Sequence, residues 1–235
     1  MGAQHDWPEG MPRVTVLVAI YKAKRFLQSK FKSLIQQTAF NDSHIFLLNC
    51  QDLQGESVFC KKFAADHTNV SYVEFDEHIG LYASWNHAIL NSRSDYIVNY
   101  NADDQWHPEY LQKCVNYLDE HEQCAIVTTG VLVTDRPNCL YPDWSHIGRI
   151  PASPYPLGTA GPSPMWRRSM HDKYGLFGDY QVIGDAKFWE KLHAGGEQFH
   201  LIPDDLVLYY TSPDSLERRL DEKTGMKILD LEAGT

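Results

Sequence analysis

YIVNYNADDQWHPEYL, residues 96–111, decides how the rest of the chain is read. Tyr96 to Tyr100 is a mostly apolar run of strand length, and it stops against Asn101, Ala102, Asp103 and Asp104. Pro108 suits the first turn of a following helix, where its missing N–H costs nothing, and Tyr110, Leu111, Val115 and Leu118 give that helix an apolar face. A buried strand therefore delivers two adjacent carboxylates into a strand-to-helix loop.

Working outward, the same unit recurs. Val14 to Ile20, VTVLVAI, is apolar without alternation, which suits a strand covered on both faces. Phe26, Leu27, Phe31, Leu34 and Ile35 recur at helical spacing and predict a helix over 24–37. Ile45 to Leu48 and Val70 to Phe75 read as further strands, each followed by a helix, the first through Val58 to Ala65 and the second over 81–91. Strands alternating with helices imply right-handed crossovers, a parallel sheet, and a ligand crevice at the carboxyl ends of the strands. Ala125 to Val133 adds a strand. The proline-rich tract 134–164 predicts an irregular excursion. A short helix from Trp166 to Lys173, a longer one from Asp185 to His193 and a strand from Leu206 to Tyr210 follow, and a charged tail closes the sequence.

At 235 residues one large domain is expected, and 21 basic against 31 acidic residues, a net charge of −10, offer no general attraction to nucleic acid or anionic lipid. No apolar run is long enough to span a bilayer and the N-terminus lacks a signal pattern, so a soluble, cytoplasmic protein without a transmembrane segment is expected. Five cysteines without a CxxC pair predict reduced thiols rather than disulfides or zinc ligands.

An acidic pair at a strand end is a solvated turn or helix cap in many proteins. At the crevice of a parallel sheet it also suits magnesium or manganese, which take one or two carboxylates and leave their other positions to phosphates and water. Asp185 opens an amphipathic helix, as an N-cap or as a second crevice carboxylate. Trp106, Trp144 and Trp166 are large aromatics that serve either as core packing or as platforms on which a ligand could stack. Arg167 and Arg168 could meet a diphosphate, and Arg218 and Arg219 could close over one.

Taken in order, these segments resemble the family 2 glycosyltransferases of the GT-A fold, an α/β class. VTVLVAIYKAKRFLQSKFKSLIQQT is similar to the family's first strand and helix. IGLYASWNHAILNSRSDYIVNYNADDQWHP is similar to its G-x-x-x-A-x-N helix, next strand and DxD loop, and RRSMHDKYGLF, GDAKFWEKLHAGG and LIPDDLVLYY to its acceptor-side half. NADD and IGDAKFW resemble the TDD and IGDARFF segments of small spore-coat polysaccharide members.

The resemblance implies a nucleotide-sugar-binding half over 13–133 and an acceptor-side half over 134–215, between tails at 1–12 and 216–235. It implies that Ala19 and Tyr21 line the base pocket and that Asn49 stands where an Asp usually bonds the base. Asn101 and Asp103 form a variant DxD whose Asp103 holds Mn2+ or Mg2+, with Asp104 supporting the loop or a metal-bound water. Asp185 is the general base. The implied partners are a UDP, dTDP or GDP sugar and a hydroxyl-bearing glycan acceptor; a homodimer is one arrangement such a chain can take. The implied reaction is inverting transfer, non-processive because QxxRW and membrane helices are missing. A nucleotidyltransferase, a phosphohydrolase or a non-catalytic sugar-binding module are the competing readings.

Overall fold

The structure, a computed structural model, describes residues 11–151 and 162–211. The expected tail from 216 onward, with Arg218 and Arg219, lies outside them, as do residues 1–10 and 152–161.

Strand β1 (Val14–Ile20) sends Val14, Val16, Val18 and Ile20 into one apolar cluster and Leu17 into another. That two-residue alternation between two buried faces is why the run reads as uniformly apolar. The first cluster lies under helices α1 (Lys24–Ile35), α2 (Glu56–Asp66) and α4 (Tyr110–Glu120). The second lies under α3 (Leu81–Leu90), α5 (Ser169–Tyr174) and α6 (Gly184–Ala194).

Strands β2 (Ser43–Asn49), β3 (Val70–Glu74) and β4 (Tyr96–Asn99) join β1 in parallel, in the order β3-β2-β1-β4. The register pairs Ile20 with Asn49 and Asn49 with Glu74, so these strands end together on one edge. Beyond β4 the sheet becomes mixed. β8 (Met165–Arg167) pairs antiparallel with β4 and with β6 (Cys124–Thr134). β9 (Gln198–Tyr210) runs parallel to β6, with β5 (Gln105–Trp106) antiparallel on its outer side and β7 (Gly148–Arg149) antiparallel on β6. This is the α/β, GT-A arrangement the sequence predicts, with helices on both faces.

Several expectations are corrected. Met165–Arg167 is a strand rather than the start of a helix, because partners in β4 and β6 satisfy its backbone; three residues are too few to show a period. β9 begins at Gln198 rather than Leu206, and irregular pairing around Gly130 absorbs Pro203. Pro108 precedes the cap of α4, Glu109, and its carbonyl accepts a hydrogen bond from Thr38 N–H at 2.9 Å. Helix α1 leaves Ile35 half exposed and buries Lys30 completely.

Candidate active site

The carboxyl ends of β1, β2 and β4 feed three loops on one edge. Glu56 at the start of α2 is wholly buried and ties the first two together: its carboxylate accepts from Ala23 N–H at 3.0 Å and from Gln54 N–H at 2.7 Å. Lys22 (φ 51°) and Gln51 (φ 139°) take positive φ without being glycine, and both lie in these turns. Backbone of that kind persists only where its surroundings over-determine it.

Ala19 is half-buried beside its β2 partner Leu48, and Tyr21 is exposed, its ring edge-on to His78 at 4.2 Å. Asn49 is fully buried. Its Nδ2 donates to the Tyr72 hydroxyl (3.0 Å), which donates to Glu74 (3.0 Å), so the amide's orientation is set and Oδ1 is left as a buried acceptor without a hydrogen-bond partner.

The loop after β4 separates the two adjacent aspartates. Asp104 has no exposed surface; its Oδ1 accepts from Tyr210 N–H and its Oδ2 from Asn101 Nδ2, each at 3.0 Å. Burial and the neighbouring Asp103 push its carboxyl well above the usual range, opposed by Lys30. Asp103 stays partly exposed. Of the two roles implied for Asp104, loop support fits this enclosure. Asp103 is a hard oxygen donor on a partly exposed loop, and among the described residues no three His, Cys, Asp or Glu gather as a metal site. A single carboxylate of this kind fits a magnesium or manganese ion that shares its remaining positions with phosphates and water.

Asp185 is not the N-cap of α6. Ile183 is, and Asp185 lies in the first turn, half-buried, where the helix dipole favours a carboxylate. Its Oδ1 accepts from Ala186 N–H (2.9 Å) and from the hydroxyl of Tyr82 (2.8 Å), near the N-terminus of α3. Burial raises its pKa, and the Tyr82 bond works against that rise. A Cβ on Gly184 would stand 2.7 Å from the Tyr82 ring, so glycine is what allows the two helix starts to meet. Asn86, one turn further along α3, grips both the N–H and the carbonyl of Phe177 (3.1 and 2.9 Å) and pins the chain leading into α6. Because α3 starts on the edge where β3 ends, Asp185 is brought to the edge that carries the Asp103 loop.

Tyr82 and Asn86 are the site-shaping residues that sequence reasoning passed over; their only signal was a place in the IGLYASWN segment. Other candidates belong elsewhere. Trp106 and Trp166 are fully buried, the first stacked on Tyr100 at 3.5 Å and bonded to Ser163, the second bonded to His171. Only Trp144 of the three keeps surface exposure, edge-on to Tyr141 at 5.7 Å. Arg167 donates to the carbonyls of Leu118, His121 and Cys124 and so caps the end of α4, while Arg168 pairs with Asp172. Arg167 pairs with Tyr96, the first residue of β4, and so sits at the opposite end of that strand from the acidic loop.

Comparison with known proteins agrees with this architecture. A family model described as glycosyl transferase family 2 matches residues 15–172. A Bacillus subtilis (strain 168) protein named "Putative glycosyltransferase EpsE" is 29% identical over 125 residues, 53% of this chain and 45% of that one. Glycosyltransferase GlyA of Streptococcus pneumoniae is 24% identical over 47% of this chain and 16% of its own. The chain thus spans less than half the length of these curated relatives. Among solved structures, S. aureus TarS 1–349 in complex with UDP-GlcNAc has TM-score 0.73 at 13% identity, covering 88% of this chain and 61% of that one. The mannosyltransferase PcManGT of Pyrobaculum calidifontis, in complex with GDP-Man and Mn2+, has TM-score 0.69 at 17% identity, over 89% and 60%. Among the described residues no helix is long and apolar enough to cross a membrane.

Proposed function

The chain belongs to glycosyl transferase family 2, and we propose that it moves a sugar from a nucleoside diphosphate sugar to a hydroxyl of a glycan acceptor, non-processively and with inversion at the anomeric carbon. The observation that carries this reading is Asp185, a half-buried carboxylate of raised pKa, fastened by Tyr82 to the helix start beside the edge of the Asp103 loop.

A carboxylate with raised proton affinity is, in its ionised form, a stronger base. Asp185 would take the proton from the acceptor hydroxyl as its oxygen bonds to the anomeric carbon, while the bond from that carbon to the diphosphate oxygen breaks. The proton ends on Asp185 and the electron pair on the departing diphosphate. Asp103 is the residue that would hold a divalent cation, Mn2+ or Mg2+, whose chemistry when bound is Lewis-acid stabilisation of charge on the diphosphate. The buried Oδ1 of Asn49 suits a ring N–H donor, which uracil, thymine and guanine all carry. The UDP-GlcNAc and GDP-Man held by the two structural neighbours support the same donor class.

Asp185→Asn should bind UDP or GDP with Mn2+ as the native protein does while losing on the order of a hundredfold or more in sugar transfer. Near-native turnover by that variant would remove Asp185 from the base role. Asp103→Ala should weaken Mn2+-dependent nucleotide binding by calorimetry, and an unchanged affinity would take the metal away from Asp103.

A further inference from the structure

Lys30 is the only fully buried lysine among the described residues, and it stands in the middle of α1. Its Nζ donates to the backbone carbonyl of Asp104 at 2.6 Å and rests 2.9 Å from the centre of the Tyr100 ring. Tyr100 is itself fixed: its ring stacks on Trp106, and its hydroxyl meets Ser33 Oγ at 2.6 Å and accepts from Trp106 N–H at 3.0 Å. From the other side, Tyr210 of β9 and Asn101 hold the two oxygens of Asp104. Asp104 is therefore gripped by α1 at its carbonyl and by the loop and β9 at its carboxylate.

An ammonium taken out of water is costly unless it is paired, and an apolar chain of similar volume would fill the same space. Burial lowers the Lys30 pKa, and Asp104 and then Asp103 raise it, so its charge interacts with both carboxylates of the loop. Asn101 belongs to the same arrangement. Its amide gives Asp104 a donor at the position where the family's usual Asp would set a third carboxylate beside the other two.

We propose that Lys30 is a positioning residue: by holding the Asp104 carbonyl from inside α1, it sets the backbone from which Asp103 projects and so governs how tightly the loop takes a metal-bound nucleoside diphosphate. This rests on Asp103 being the residue that holds the metal. Lys30 touches neither metal nor nucleotide in this role.

Lys30→Met keeps the volume and removes the donor. The variant should fold with a lowered unfolding temperature, since removing one partner leaves the buried Asp104 carbonyl without its donor and the loop carboxylates without their buried cation. Amide exchange at Asp104, Gln105 and Trp106 should accelerate, and UDP affinity with Mn2+ should fall about tenfold, the low end for groups that orient a metal ligand, while UDP affinity without metal stays unchanged. A folded Lys30→Met with native loop exchange and native Mn2+–UDP affinity overturns the proposal. A wild-type protein that binds no nucleoside diphosphate defeats the functional reading instead, and the exchange data then decide alone whether Lys30 holds the loop. Should Lys30→Met not fold, Lys30→Gln, which keeps a shorter donor, is put through the same measurements: faster loop exchange with weaker Mn2+–UDP binding supports the positioning role, and native values of both overturn it.

Discussion

Replacing Tyr82 by phenylalanine deletes one oxygen and leaves a ring that is 2% exposed and packed against Trp85 and Phe177. That oxygen lies 2.5 Å from the Val182 carbonyl and 2.8 Å from Asp185 Oδ1, and its single proton serves one of them at a time. A hydrogen bond to a charged acceptor contributes about 1.5–3 kcal/mol, and sharing argues for the lower end, about 1.5 kcal/mol. Losing that bond disfavours the ionised form, so the Asp185 pKa should rise beyond the elevation that burial already imposes.

The sign follows from linkage. A carboxyl whose folded pKa lies above its unfolded one binds its proton more tightly when folded, so it favours the fold at low pH and that contribution is lost as pH rises through the folded pKa. Tyr82→Phe widens that window upward. Carboxyl 13C NMR titration of Asp185, assigned with Asp185→Asn, measures the shift directly, and the acid limb of kcat/KM should move up by the same amount. An Asp185 pKa that stays put or falls in the variant would refute the claim that Tyr82 stabilises the ionised form.

Three further outcomes can be measured on the folded protein. Asn101→Asp should cost about 1.5–3 kcal/mol, because it removes the donor to Asp104 and faces it with a second carboxylate; the deficit in unfolding temperature should widen as pH rises, and a pH-independent deficit would contradict the charge argument. Gly184→Ala should destabilise by about 1–3 kcal/mol, since its new methyl meets the Tyr82 ring, and it should shift the Asp185 titration with it; a native titration curve would mean that the helix starts move apart at no cost to the bond. Trp106→Ala should lose about 3–5 kcal/mol by denaturant unfolding and the partly buried Trp144→Ala clearly less, and similar losses for both would show that Trp144 is core as well.

The strands and helices of the first half were legible in the sequence because their signals are local. VTVLVAI is apolar at every step because it is covered on both faces, and Tyr110, Leu111, Val115 and Leu118 are buried where their spacing put them. Even so, the spacing in α1 misassigned one position: Ile35 is half exposed and Lys30 is enclosed, because the carbonyl that receives Lys30 lies 74 residues further along the chain.

By itself the sequence determined the order of strands and helices through β4, the parallel half-sheet they form, and the acidic loop on its carboxyl edge, all of which follow from the period and type of neighbouring residues. Tertiary structure alone decided which carboxylate of the pair is left partly exposed. Asp104 is withdrawn by Tyr210 of β9, 106 residues away, and Asp185 is oriented by Tyr82, 103 residues before it. Hydrogen bonds across such separations form only once the sheet has brought its distant strands together, so no window of neighbouring residues contains them.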